Sequence, residues 1–168
     1  MSVALHAGDI APGFTIVAYR NGASTEIALH QYRGYYVVLY FYPRDLTPLC
    51  TAQACAFRDG RESLTMEPPN RIAVLGISPD SIATHARFAR LHRLSHPLLS
   101  DSDMSVARQY GVLRENSGAG NGAEQQYSRV TFLIGPTGII LRTYQIQQTE
   151  GHLAELASDL KAEVLRTN

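Results

Sequence analysis

The chain is short of cysteine, lysine and net charge, and each shortage narrows what it can be. Two of its 168 residues are cysteines, Cys50 and Cys55, too few for a secreted disulfide framework or a four-thiolate zinc site. Lysine occurs once, at Lys161, against fourteen arginines scattered without a basic run. Fifteen basic side chains balance fifteen acidic ones, so no bulk field draws the chain to nucleic acid or a membrane surface. No stretch reaches the roughly eighteen consecutive apolar residues of a membrane span. Between Met1 and Phe14 no basic segment leads into an apolar run, so no signal peptide is visible. These absences point to a soluble, cytoplasmic protein whose thiols stay reduced unless chemistry oxidises them. What remains is 45% hydrophobic and 18% charged, a globular composition of a length that suits one domain, residues 1–168.

The order of elements follows from local pattern. Phe14–Tyr19 and Thr25–Leu29 read as a strand pair around Asn21-Gly22, a favoured turn dipeptide. Tyr35–Tyr42 is aromatic and β-branched with no polar alternation, as a strand covered on both faces should be. After Pro43 the pattern predicts a helix from about Thr47 to Met66, closed by Pro68-Pro69. Ile72–Ser78 reads as a second buried strand, so the two form a βαβ crossover. Pro79-Asp80-Ser81 starts a helix to about Leu94, and 101–110 supports a short one stopped by Gly111. Val130–Ile134 and Ile139–Gln145 flank Gly135-Pro136-Thr137-Gly138, a hairpin signal. Leu153, Leu156, Leu160 and Val164 share one face of a final amphipathic helix. Residues 115–126, the one low-complexity stretch, read as a mobile surface excursion. Strands interleaved with helices, then a hairpin and a terminal helix, make a three-layer α/β/α sandwich.

Cys50 sits where a thiol gains reactivity. Thr47 followed by Pro48 reads as N-cap and first helical residue, with the Thr side chain satisfying an orphan N–H. That register puts Cys50 third in the helix, where unpaired N–H groups and the positive dipole end favour a thiolate. A lone cysteine is more often a small buried packing residue; the Thr-Pro cap and the second cysteine tip the balance to reactivity. Cys55 lies five residues on, and helix geometry separates such Cα atoms by about 8.6 Å, beyond the roughly 7 Å limit for bridging. A disulfide between them would require the helix to unwind locally. Metal binding lacks ligands: none of His6, His30, His85, His92, His96 and His152 is spaced to the cysteines. His85 and His92 could share a helix face, and solvent exposure is the expectation for both. A phosphate loop and a serine-hydrolase elbow are both missing, and no cofactor or metal is expected.

The run Pro43, Thr47, Cys50, spaced P-x-x-x-T-x-x-C, resembles the active-site motif of the peroxiredoxins. The wider string FYPRDLTPLCTAQACAFRD resembles the peroxiredoxin Q, or bacterioferritin comigratory protein, subfamily. GDIAPGFTI, VLGISPDS, PLLSDSDMSVARQYGV and SRVTFLIGPTG extend the resemblance over nearly the whole chain. It implies a thioredoxin-like fold with a mixed central sheet and an N-terminal β-hairpin. It also implies a thiol peroxidase acting on hydrogen peroxide and organic hydroperoxides. Cys50 would be the peroxidatic cysteine and Cys55 the resolving one, joined in an intrachain disulfide. Thr47 would hydrogen-bond the sulfur and peroxide, Pro43 would shield the site, and Arg129 would hold thiolate and peroxide. Thioredoxin or a similar dithiol would restore the thiols. An intrachain resolving cysteine removes the chemical need for a dimer, so a monomer or weak dimer is expected.

Three positions depart from the subfamily pattern. Leu49 stands where Gly is usual, His96 replaces an aromatic residue, and the Gly-rich 116–123 stretch replaces bulkier residues. Leu49 is expected to narrow the pocket or slow local unwinding. Two rival readings use the same thiols. A thioredoxin-like disulfide oxidoreductase would need C-x-x-C, whereas four residues separate these cysteines. A peroxide-sensing switch acting through a partner protein would differ in showing no saturable turnover of its own.

Overall fold

A computed structural model describes residues 4–64, 71–116 and 124–167. The first two strands, β1 (Thr15–Arg20) and β2 (Ala23–Ala28), pair antiparallel across Asn21-Gly22. Both turn residues have positive φ, 49° and 85°, as the tight hairpin turn that matches strand twist demands. Strand β3 (Tyr36–Phe41) is buried at every position. Its side chains divide by parity: Val37, Leu39 and Phe41 join one core, Tyr36, Val38 and Tyr40 the other. The unbroken apolar run therefore serves two hydrophobic faces at once, as period-two geometry requires.

Helix α1 (Pro48–Asp59) continues as a 3-10 turn to Leu64, while Met66 and Pro68-Pro69 lie outside the described residues. β4 (Ile72–Ser78) pairs parallel with β3, completing the expected βαβ unit. A Cβ at Gly76 of β4 would come 2.7 Å from the Tyr40 ring, so glycine is the residue that lets this aromatic lie across its neighbour. Ser81 caps α2 (Ile82–His92) by accepting from the Thr84 N–H. The three-residue β5 (Leu98–Ser100) escaped the sequence reading; too short to show a period, it exists by pairing with β4 and β1. α3 (Ser105–Tyr110) ends at Gly111, whose φ is 67°.

The two described ends of the 115–126 stretch belong to strands. β6 (Leu113–Asn116) and β7 (Glu124–Tyr127) form an antiparallel ladder at its two ends; residues 117–123 lie outside the description. β8 (Val130–Ile134) and β9 (Ile140–Gln145) form the expected hairpin, and α4 (His152–Thr167) closes the order. The main sheet runs β2-β1-β5-β4-β3-β8-β9, with β3, β4 and β5 parallel and the outer pairs antiparallel. One face packs α1, α2 and α4 around Tyr40, Phe57, Phe88 and Leu156; the other packs α3 around Leu39, Phe41, Tyr110 and Phe132. This mixed sheet between two layers is the thioredoxin-like arrangement.

Candidate active site

The loop from β3 into α1 carries Pro43 to Leu49 and delivers Cys50 to the first turn of the helix. Thr47 is the N-cap with extended backbone, Pro48 follows, and the Thr47 carbonyl accepts from Thr51 N–H at 2.9 Å. Cys50 is therefore the third helical residue, as its register predicts. The expected side-chain cap is not made. Thr47 Oγ1 instead donates to the Arg44 carbonyl at 3.1 Å and accepts no helix N–H. The helix start thus keeps the Leu49 and Cys50 N–H groups clear of that side chain, while Pro48 has none to offer. Pro43 is half-buried at the end of β3.

Cys50 is 2% exposed, Cys55 is half-buried, and both are free thiols on an intact helix. Arg129, just ahead of β8, reaches the sulfur: its Nη2 donates to Cys50 Sγ at 3.0 Å. Its carbonyl accepts from Ile146 N–H at 2.9 Å, which fixes the backbone behind the side chain. A surface ion pair would have been the ordinary fate of this arginine; it faces the thiol instead. Its other arm, Nη1, donates to Gln53 Oε1 at 2.5 Å. Gln53, buried on α1 one turn beyond Cys50, was missed in the sequence, although i,i+3 spacing puts it on the cysteine's face.

Leu49 turns outward and is 43% exposed, so it does not fill the space around the sulfur as its bulk predicts. His85 corrects a second expectation. It is fully buried, with Nδ1 donating to Asp45 Oδ2 at 2.5 Å and Nε2 3.0 Å from the Leu99 carbonyl. Asp45 also accepts from the Tyr42 hydroxyl at 2.6 Å, and its N–H donates to Asp80 Oδ2 at 2.8 Å. The loop ahead of the cysteine is thereby tied to its own strand, to α2 and to the turn before α2. Immediately after this anchor, Leu46 has φ 64°, a left-handed conformation that a leucine holds only when its surroundings enforce it. Among the described residues, no group of three or more His, Cys, Asp or Glu is placed to hold a metal ion.

The AhpC/TSA family profile matches residues 7–143, most of the chain. The chain belongs to the AhpC/TSA family. A relative from Bacillus subtilis named peroxiredoxin Bcp is 36% identical over 140 residues, covering 80% of this chain and 83% of its own. The wheat chloroplast peroxiredoxin Q is 37% identical over 149 residues, 88% of this chain and 63% of its own. Among solved structures, a cysteine-to-serine variant of Xylella fastidiosa PrxQ superposes with TM-score 0.83 at 29% identity. That superposition covers 95% of this chain and 98% of the other. A Xanthomonas campestris bacterioferritin comigratory protein, studied for alkyl peroxide reduction, gives TM-score 0.81 at 25% identity over 96% and 99%. The protein is a peroxiredoxin of the Bcp and Q group, a thiol-dependent peroxidase with a thioredoxin-like fold.

Proposed function

We propose that this peroxidase works through Cys50 as the attacking thiolate and Cys55 as the resolving thiol of the same chain. The observation that carries the assignment is the Arg129 guanidinium 3.0 Å from Cys50 Sγ at the start of a helix. Attack of the thiolate on one peroxide oxygen breaks the O–O bond. The sulfur keeps that oxygen as a sulfenic acid, and the departing oxygen leaves as an alcohol or water once protonated. Negative charge grows on that departing oxygen. Donors oriented beforehand, the helix N–H groups and the guanidinium, stabilise it without reorganising. Thr47, whose hydroxyl stands at the helix start, turns its proton from the Arg44 carbonyl to the peroxide when substrate binds, and Pro43 shields the sulfur from water.

Cys55 then attacks the sulfenic sulfur, expelling water and forming the disulfide. The helix between the two cysteines must unwind first, since intact geometry holds the Cα atoms about 8.6 Å apart. A thioredoxin-like dithiol returns both thiols by exchange, becoming oxidised itself. The same reading takes residues 1–168 as one domain, active in the cytoplasm as a monomer or weak dimer. Alkyl hydroperoxides join hydrogen peroxide as substrates, in line with the Xanthomonas campestris relative.

The test is mass and thiol titration before and after one equivalent of peroxide. Loss of both thiols and of two hydrogens per chain is expected. Cys50→Ser should abolish peroxide consumption, whereas Cys55→Ser should complete one turnover and then fail to recycle with thioredoxin. Sustained turnover by the Cys50→Ser protein would remove Cys50 from the role.

A further inference from the structure

Two buried polar atoms near the cysteine lack partners among the described residues: Gln53 Nε2 and His152 Nδ1. Both side chains are over nine-tenths buried, 2% and 4% exposed. They line the same partly open pocket with Ala56, Phe57, Thr149 and Leu153, and its volume is about 10 Å³, the least room that one water needs. Orphaned polar groups in a folded interior cost free energy, and ordered water is a common way to satisfy them.

The donor and acceptor arithmetic fits one molecule. The Gln53 amide nitrogen can only donate, because its oxygen is already turned to Arg129 Nη1. His152 Nε2 lies 3.1 Å from Thr131 Oγ1, so the neutral ring that donates there leaves Nδ1 as an acceptor. Burial lowers the His152 pKa and favours that neutral ring. A water between them accepts from Gln53 and donates to His152.

We propose that Gln53 and His152 hold a single buried water, and that this bridge latches the Cys50–Gln53 turn of α1 to α4 while the helix is wound. The latching part rests on the roles given above to Cys50 and Cys55. Gln53 lies between the two cysteines, so unwinding for disulfide formation pulls it from Arg129 and from the bridge together. His152 is thus a positioning residue. It fixes the Gln53 amide, which aims the guanidinium at the sulfur, and it opposes opening of the helix.

Two measurements test this. A crystal structure of the reduced protein, at a resolution that orders water, should show one molecule bonded to Gln53 Nε2 and His152 Nδ1. An empty hole, or a direct bond between the two atoms, overturns the proposal whatever the roles of the cysteines. Stopped-flow oxidation by hydrogen peroxide should then separate three variants. His152→Asn keeps an acceptor near the Nδ1 position and should retain the rate. His152→Phe and His152→Gln lack it there and should oxidise Cys50 about three- to tenfold more slowly, while disulfide formation quickens. Unchanged oxidation in His152→Phe, or equal losses in all three, would reduce His152 to a packing residue. If peroxide oxidises some residue other than Cys50, the role of the cysteine fails while the water site stands or falls on the crystal structure.

Discussion

At Cys50 the proposed chemistry depends on what lies opposite the sulfur. A thiol on a helix start meets N–H groups from its own backbone, but a full positive charge must come from elsewhere in the chain. Arg129 supplies it across a gap of 79 residues, braced by Gln53 on one side and the Ile146 N–H behind. Arg129→Met should therefore leave the fold intact and slow single-turnover oxidation of Cys50 about 10²-fold, read by stopped-flow fluorescence or competition kinetics. Arg129→Lys should recover only part, because one ammonium cannot bond sulfur and amide with the same planar fork. A variant as fast as the parent would show that the guanidinium is a spectator. His96 is a second residue whose state follows from its surroundings. Burial, then the Arg61 charge, lowers its pKa to about 4, and the neutral ring suits an Nε2 that lies 2.6 Å from the Tyr40 hydroxyl. The unfolded chain takes up a proton near pH 6.5 that the native ring refuses. Stability from this site is thus complete above pH 6.5 and declines as pH falls towards about 4. Urea titrations at several pH values should show that decline, and it should shrink in His96→Phe. An identical pH profile in the variant would discount the site.

Among the elements, α1 is the one that the proposed cycle would unwind, and its two ends are held differently. Ahead of it, Asp45 joins Tyr42, His85 and the Asp80 carboxylate, all within 2.8 Å. Beside it, Phe57 stacks on Tyr40 with ring centroids 4.7 Å apart. In the proposed cycle, the unwinding that brings Cys50 to Cys55 would start after one fixed point and stop before the other. His85→Ala leaves the Asp45 carboxylate buried with one partner fewer, and should cost about 3 kcal/mol in a denaturant titration. Peroxidase activity should fall with it, because the loop that positions Thr47 and Cys50 loses its tie to α2. A loss under about 1 kcal/mol would mean that the tie to α2 contributes little.

For the whole molecule, the sheet is the frame against which that proposed local change would happen. β3 is buried between two cores, β4 is buried from Leu75 on, and both are bonded on both sides, so they should hold through the redox cycle. Hydrogen exchange of the disulfide form should show lost protection confined to the α1 turns around 50–55. β3, β4 and β8 should match the reduced protein. Loss of protection across the sheet would indicate a global opening and contradict a local cycle.

The order of strands and helices was legible because each signal is local. β3 announces itself through an unbroken apolar run, the first hairpin through Asn21-Gly22, and the α1 start through Thr47-Pro48. The register of Cys50 and its separation from Cys55 were legible for the same reason, since both depend only on one helix. His85 was misread because helical spacing says which residues share a face but not what covers that face. Its burial is decided by Asp45, forty residues away. β5 and the β6–β7 ladder were missed because short strands take their existence from partners, and polar composition conceals them. By itself, then, the sequence determined the longer elements, the place of Cys50 at a helix start and its distance from Cys55. Only the tertiary structure decided where Arg129, Gln53, His85 and His152 point, because those contacts are made between elements that the chain's local chemistry cannot see.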